Sequence, residues 1–151
     1  MNNNNYNRVK KEIFEILSKN KHIVLATSYK DVVTARTISY VFIDEKILFQ
    51  TLSSYIKTQQ IEKNSNVALC IDNLQIEGKA KVIGNPLEKN NEIFLNKYKK
   101  NHKSAYEKYS MLKDEVVIEV VIEKISRWFY KNNKGYKESI NLITKGYDIN
   151  E

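Results

Sequence analysis

Five short apolar segments separated by polar residues constrain the fold of this chain more than any other feature. They span residues 23–27, 33–43, 47–51, 67–71 and 76–83. In the last segment apolar and polar residues alternate with the period of two that is typical of a half-buried β-strand. Most of the intervening turns are short, and short turns join antiparallel strands, whereas parallel strands need a long crossover. The pattern therefore predicts an antiparallel barrel rather than a parallel sheet.

Helical and further strand-like segments lie on either side of this region. Apolar residues recur at helical spacing over residues 8–17, which predicts an amphipathic helix. Asn85 followed by Pro86 is a helix-start signal, and we expect a helix from there with a break near Asn101. Residues 116–130 contain two strand-like runs that would close the sheet.

We therefore expect a mainly β fold with flanking helices, of the α+β class, with six to seven antiparallel strands. No repeat or linker marks a boundary, so residues 1–151 are predicted to form one domain. Residues 2–7 are polar and expected to be frayed. Residues 132–151 are predicted to form a polar tail, or a short terminal helix around residues 139–143.

The charge of the chain raises the question of an anionic partner. The formal net charge is +7, but only three of the basic residues are arginines and the lysines are spread along the chain. This distribution favours a solvated basic surface. Nucleic-acid binding stays open, because five lysines cluster in one helical segment: Lys97, Lys99, Lys100, Lys103 and Lys108.

Cysteine and histidine content points to a compartment and argues against a metal site. Cys70 is the single cysteine and no signal-peptide pattern is seen, which together predict a cytoplasmic protein. We expect Cys70 to be a small core residue of its strand. The two histidines, His22 and His102, are far apart in sequence, and no Cys or His cluster is present, so no metal-binding site is predicted.

The segment between residues 50 and 61 is the strongest candidate for a binding site. It reads as a strand, a turn containing Ser53 and Ser54, and a short helix with Lys57 in its first turn. Hydroxyl groups there are expected to cap the helix, with free N–H groups facing an anion. A cation in a first helical turn is unfavourable unless an anion is bound nearby. The segment is therefore either a phosphate seat or an ordinary cap with a solvated lysine.

Three other residues have two interpretations each. Arg36 lies in mid-strand, where its fork suits phosphate or carboxylate, or where it makes a surface salt bridge. Gly78 in mid-strand indicates a bulge or the close approach of a backbone or ligand. Trp128 is either a core or interface residue or a stacking surface for an aromatic ligand.

Taken in order, these segments resemble the pyridoxamine 5'-phosphate oxidase-like, FMN-binding split-barrel proteins. The residues that carry the resemblance are 23–27, 34–40, 47–51, 57–61 with Asn64, 78–80 and 116–130. The resemblance covers residues 8 to about 131. It implies an antiparallel split β-barrel and a homodimer with FMN between the subunits. It also implies that Arg36 and Lys57 contact the FMN phosphate and that Trp128 lies near the flavin across the dimer.

The remaining contacts implied by the resemblance come from the same strands and turns. The full cofactor-binding set predicted for this chain is Arg36, Thr37, Ile38, Ser39, Gln50, Thr51, Ser54, Lys57, Asn73 and Trp128. No residue is assigned as a catalytic acid or base.

Two departures from the family pattern bear on the reaction. Ile56 stands where the oxidases have a second basic residue, and no arginine follows Arg127 and no histidine follows His102. The motif that grips pyridoxamine phosphate is therefore missing, and the chain is more similar to the flavin reductases grouped with nitroimidazole-resistance proteins. That branch implies electron transfer from NAD(P)H through FMN to a small organic acceptor. The alternatives are a haem-binding or deazaflavin-binding barrel, or a cofactor-free nucleic-acid binder.

Overall fold

The computed structural model describes residues 3–151, which form an eight-stranded antiparallel sheet and four α-helices. The strands are β1 (His22–Tyr29), β2 (Val32–Ile43), β3 (Lys46–Leu52), β4 (Asn66–Ile71), β5 (Leu74–Val82), β6 (Glu115–Lys131), β7 (Lys134–Asn141) and β8 (Gly146–Asn150). The helices are α1 (Asn3–Lys19), α2 (Ile56–Lys63), α3 (Glu92–Asn101) and α4 (Lys103–Tyr109), with a single 3₁₀ turn at Lys89–Asn91.

The long strand β6 closes the barrel and extends beyond it. The strand order is β3-β2-β1-β4-β5-β6-β7-β8, and an additional pairing between β3 and β6 closes the first six strands on themselves. The first part of β6 pairs with β3 and its second part pairs with β7. The predicted antiparallel split barrel is therefore confirmed, with eight strands rather than six to seven.

Two apolar clusters hold this arrangement together. The larger one fills the barrel and includes Val9, Ile13 and Leu17 of α1, so the amphipathic face predicted for this helix is buried. The smaller one lies where Phe94 and Tyr98 of α3 pack on the outer face of the sheet. Burial of apolar area on this scale is the main driving force for folding.

Gly78 marks a β-bulge between β5 and β6, as its position in mid-strand predicted. The register of the two strands shifts between Glu77 and Gly78. A Cβ atom at this position would lie 2.4 Å from the carbonyl oxygen of Val121. A residue without a side chain is therefore required where the two backbones approach.

Both ends of the chain differ from the sequence expectation. Helix α1 begins at Asn3, and Tyr6 is only 4% exposed. The prediction of a frayed N-terminus is therefore wrong for residues 3–7, while residue 2 lies outside the described part. Strands β7 and β8 replace the predicted tail or terminal helix after residue 131. The turn at Asn132 and Asn133 has positive φ at both residues, 53° and 62°, which asparagine tolerates and a two-residue hairpin requires.

Two local predictions also fail and one is confirmed. Cys70 is exposed on β4 and is not a core residue. Helix α3 begins at Glu92 rather than after Asn85, whose side-chain oxygen accepts a hydrogen bond from the N–H of Leu87 in a local turn. The predicted break near Asn101 is the junction of α3 and α4. No described helix combines the length and apolarity that crossing a membrane would take.

Candidate functional site

Arg36 lies on the inner face of β2, and all its hydrogen-bond partners are neutral. Its Nη1 donates to the hydroxyl of Thr27 at 2.8 Å and to the carbonyl oxygen of Leu25 at 3.4 Å, and its Nη2 donates to the hydroxyl of Thr34. Within residues 3–151 it makes no salt bridge, so the surface ion pair considered from the sequence is not formed there. Burial lowers the pKa of Arg36. The three hydrogen bonds hold the guanidinium group in place, but no acidic residue among the described residues neutralises its charge.

Gln60 of α2 holds the same two threonines from the other side. Its Oε1 accepts hydrogen bonds from Thr27 at 2.5 Å and Thr34 at 2.8 Å, and its Nε2 donates to the carbonyl oxygen of Val32 at 3.0 Å. Gln60 is buried. It is a residue that the sequence reasoning missed, because nothing local distinguishes it from the exposed Gln59 beside it.

Lys57 lies in the first turn of α2, close to Arg36. Its Nζ is 4.6 Å from the centre of the Tyr55 ring, a cation–π distance. Burial is the main cause that lowers the pKa of Lys57, and the charge of Arg36 lowers it further, while Glu115 acts in the opposite direction. The two predicted phosphate ligands are thus neighbours. Two cations held together, with no salt bridge to either one within residues 3–151, are suited to an anion.

The turn before α2 is built differently from the prediction. The N-cap residue is Tyr55, and no side chain caps the helix, so the expected capping by Ser53 or Ser54 is wrong. Ser54 is exposed, whereas Thr51 is buried in β3. The first N–H groups of an uncapped helix remain available to a bound anion, and the positive end of its dipole favours one.

A second polar group lies on the outer face of β3 and β6, and one of its members, Glu115, interacts electrostatically with Lys57. Gln50 Oε1 accepts a hydrogen bond from the hydroxyl of Ser110 at 2.8 Å, but the Gln50 Nε2 atom is buried without a partner. Glu115, at the start of β6, is 3% exposed, and its Oε2 also lacks a partner. Burial raises the pKa of Glu115 to about 7, and Lys57 opposes this effect. Sequence reasoning predicted Gln50 as a site residue but missed Glu115.

Asn73 and Trp128 lie together at a second location. Asn73 Nδ2 donates to the carbonyl oxygen of Trp128 at 2.7 Å, and the N–H of Trp128 donates to the carbonyl oxygen of Asn73 at 3.4 Å. The indole is 43% exposed, with Lys137 Nζ 5.3 Å from the ring centre. Trp128 is therefore not a core residue of this subunit, and it presents an aromatic surface.

The ten predicted residues do not form one site within a single chain. The Arg36 guanidinium lies beside Thr27, which pairs with Val67, whereas Asn73 lies beyond the other end of the same strand β4. At about 3.3 Å per residue, roughly 15 Å separates the two locations. We call Arg36 and Lys57 the cationic half-site, and Asn73 and Trp128 the tryptophan half-site.

The remaining predicted residues follow β2 away from Arg36. Thr37 is exposed on the outer face and Ile38 is buried on the inner face. Ser39 lines a cavity of about 420 Å³ between β2 and the junction of α3 and α4, together with His22 and Lys103. Thr37 and Ser39 thus lie on the outer face of β2, whereas Ile38 points into the barrel, so the three side chains do not converge on one site.

The outer face of β1 and of the first half of β2 carries small or apolar residues, and among the described residues helix α3 covers only the second half of β2, around Val41. Val33 is 69% exposed, and Ala35 and Thr37 next to it on the same face are also exposed. The paired residues of β1 on that face are Ala26 and Val24. An uncovered sheet face of this kind is typical of an interaction surface.

Another cavity lies between α1 and the last three strands. It measures about 610 Å³ and is lined by Asn73 and by residues of the C-terminal hairpins, among them Phe129 and Tyr136. Its arginines are already paired, since Arg127 binds both Glu12 and Glu138. Among the described residues Arg8 pairs with the same two acids, so both arginines of this cavity already have counter-charges.

The closed barrel defines a split-barrel protein, with two neighbouring cations at its cationic half-site. Residues 9–129 match the family model described as pyridoxamine 5'-phosphate oxidase. The chain therefore belongs to the pyridoxamine 5'-phosphate oxidase-like, FMN-binding split-barrel family. No curated protein sequence matches it significantly.

Solved structures show the same fold at low sequence identity. General stress protein 26 from Bacillus anthracis is 18% identical with a TM-score of 0.65, covering 84% of this chain and 96% of its own. A pyridoxamine 5'-phosphate oxidase-related, FMN-binding protein from Nostoc punctiforme is 11% identical with a TM-score of 0.63, covering 93% and 94%. The haem storage protein HutZ from Vibrio cholerae is 15% identical with a TM-score of 0.65, covering 76% and 89%.

Proposed function

We propose that this chain is an FMN-dependent oxidoreductase whose cationic half-site holds the phosphate of the cofactor. The observation that carries this proposal is the pairing of Arg36 and Lys57, two neighbouring cations with no salt bridge to either among the described residues. A phosphate monoester supplies the negative charge that they lack. The uncapped first turn of α2 adds backbone N–H groups and a favourable dipole to the same seat.

Each residue has a distinct part in this proposal. The planar fork of Arg36, already oriented by Thr27 and Thr34, gives directional hydrogen bonds, and Lys57 adds a point charge. The cofactor, when bound, supplies hydride and electron chemistry, while the chain supplies placement and electrostatics. We propose NAD(P)H as the electron donor and a small organic molecule as the acceptor, in the cytoplasm. No side chain is assigned as a catalytic acid or base.

We further propose that the working unit is a homodimer with FMN between the subunits. In one chain the two half-sites lie at opposite ends of β4, roughly 15 Å apart, and a second subunit could bring a tryptophan half-site closer to the cations. In the proposed two-fold dimer, the cationic half-site of one subunit would lie against the tryptophan half-site of its partner. The exposed outer face of β1 and β2, around Val33 and Ala35, gives such a dimer a surface to bury.

The first test is the visible spectrum of the purified protein. We expect a flavin spectrum, with FMN in the supernatant after boiling. Lys57→Ala should weaken FMN binding at least tenfold and leave riboflavin binding unchanged, because only FMN carries the phosphate. Lys63→Ala is the matched control, since Lys63 is exposed on the same helix. A colourless protein that takes up no added FMN would contradict the proposal.

Haem is the second candidate cofactor, because HutZ shares the fold and is described as a haem storage protein. A Soret band in the purified protein, in place of a flavin spectrum, would favour it. Deazaflavin is distinguished from FMN by reconstitution with each cofactor.

Nucleic-acid binding gains little support, since Lys97 donates to the carbonyl oxygen of Phe42 and Lys99 lies over Tyr106. A salt-dependent mobility shift with random DNA would revive it.

A further inference from the structure

Glu115 is a buried acid that the proposed function leaves without a role. It is the first residue of β6 and pairs in register with Leu52, the last residue of β3, just before the turn into α2. Its side chain is 3% exposed, and Oε2 has no hydrogen-bond partner. A buried carboxylate without partners is costly, so the site favours the neutral acid.

Gln50 adds a second unpartnered polar group on the same face. It lies two residues before Leu52 on β3, so its side chain and that of Glu115 emerge from the same side of the sheet. The hydroxyl of Ser110 donates a hydrogen bond to Gln50 Oε1, whereas the buried Nε2 has no acceptor among the described residues. Within residues 3–151 these side chains leave one donor and one acceptor unpartnered on the same side of the sheet, and the charge of Lys57 acts on Glu115, which together indicate an incomplete polar site.

We propose that Glu115 is a positioning residue of the cationic half-site that takes up a proton when a phosphate-bearing ligand binds, so that ligand affinity falls as the carboxyl group ionises. This inference rests on the proposed function, because it places the phosphate at Arg36 and Lys57. A phosphate dianion and a Glu115 carboxylate repel one another across Lys57, which both would share. By linkage, the anion favours the protonated acid to the same extent that the protonated acid favours the anion.

Among the groups around Glu115, its own carboxyl group is the one expected to take up a proton near neutral pH. Lys57 of α2 and Tyr98 of α3 both interact electrostatically with Glu115, and Tyr109 of α4 interacts with Tyr98. Burial raises the pKa of Tyr98 to about 12, so this residue stays neutral in the working range. Burial raises the pKa of Glu115 to about 7, which puts its ionisation near neutral pH. The phosphate itself has a second pKa near 6 and is a dianion above that pH.

The test compares FMN and riboflavin affinities between pH 6.5 and 8.5 by quenching of flavin fluorescence. For the unmodified protein we expect the FMN dissociation constant to rise about tenfold over this range, with little change for riboflavin. Glu115→Gln should bind FMN with a nearly flat profile and more tightly at pH 8.5. Glu107→Gln is the control, because Glu107 is exposed on α4. A Glu115→Gln variant with the unmodified pH profile overturns the proposal.

Two further measurements separate this inference from the proposed function. If no flavin binds at any pH, the proposed function fails, and inorganic pyrophosphate becomes the probe. Its effect on the melting temperature should then weaken from pH 6.5 to 8.5 in the unmodified protein but not in Glu115→Gln, and equal behaviour overturns the inference. If Glu115→Gln does not fold, carbon NMR of the unmodified protein should show the Glu115 pKa rising on addition of FMN or pyrophosphate. An unchanged titration overturns the inference.

Discussion

Arg36 and Gln60 are joined through the same two hydroxyl groups, those of Thr27 and Thr34. Each hydroxyl accepts a hydrogen bond from the Arg36 guanidinium and donates one to Gln60 Oε1. Arg36 belongs to β2 and Gln60 to α2, so this network ties the helix that carries Lys57 to the barrel. The spacing of the two cations therefore depends on a residue that would touch neither the phosphate nor the flavin.

Replacement of Gln60 by alanine tests this dependence. Gln60→Ala leaves two threonine hydroxyls and the Val32 carbonyl oxygen without their partner. We expect the free energy of unfolding in urea to fall by about 1–3 kcal/mol, and FMN affinity to fall with it. Gln59→Ala is the control, because Gln59 is exposed and bonds only to the backbone oxygen of Ser54. Equal stability of the two variants would contradict the structural role of Gln60.

The bulge at Gly78 makes a second prediction. The added methyl group of Gly78→Ala meets the carbonyl oxygen of Val121 at 2.4 Å, and backbone atoms on both sides cannot easily move. We expect a loss of about 1–3 kcal/mol in the free energy of unfolding. Gly135→Ala is the matched control, since its nearest neighbour is the exposed Tyr130 ring at 3.4 Å. Thermal unfolding of both variants measures the difference, and a similar midpoint for the two would argue against the close approach.

Glu138 is the centre of a buried ion network between α1 and the C-terminal strands. Its carboxylate accepts hydrogen bonds from Arg127 Nε at 2.8 Å, Tyr147 at 2.7 Å and Arg8 at 3.3 Å. Glu138→Gln leaves the half-buried Arg127 guanidinium without its buried counter-charge, and we expect a loss of about 3 kcal/mol. Glu12→Gln removes the exposed partner of Arg127 and should cost about 1 kcal/mol or less. Equal losses in denaturant unfolding would mean that burial of Glu138 does not matter.

The burial of Glu115 should make the stability of the protein depend on pH. Burial raises its pKa from 4.5 to about 7, so the folded state binds more protons than the unfolded state between these values. The Glu115 contribution to the free energy of unfolding therefore falls as pH rises from 4.5 to 7 and is constant above 7. Glu115→Gln should be more stable than the unmodified protein at pH 8 by about 1–3 kcal/mol, and the difference should shrink towards pH 5. A constant difference across this range would show that Glu115 titrates normally.

The barrel could be predicted from the sequence because its signals are local, whereas the phosphate-binding roles of Arg36 and Lys57 stay predictions. Strand alternation and tight turns act over a few residues, and Lys57 follows its turn directly. Gln60 and Glu115 were missed because their roles come from contacts with residues more than 20 positions away. The position of Asn73 beside Trp128 follows only from the pairing of β5 with β6.

The C-terminal strands were missed for a related reason. Strand β7 buries only Glu138 and Ile140, and Glu138 looks like a surface residue until its arginine partners are known. The turn at Asn132 and Asn133 has no glycine, so the hairpin signal is weak in the sequence. Because this buried acid is paired with arginines that are distant in sequence, the local pattern of apolar and polar residues does not indicate a strand.

Mixed dimers test whether the two half-sites belong to different subunits. Lys57→Ala damages the cationic half-site and Trp128→Ala the tryptophan half-site, and we expect each variant alone to bind FMN weakly. In a mixed dimer, one composite site carries both changes and the other carries neither. Random mixing of equal amounts by unfolding and refolding should therefore restore tight binding at about one quarter of all sites, measured by FMN titration. If both half-sites act within one chain, mixing restores no tight binding, and the interface proposal fails.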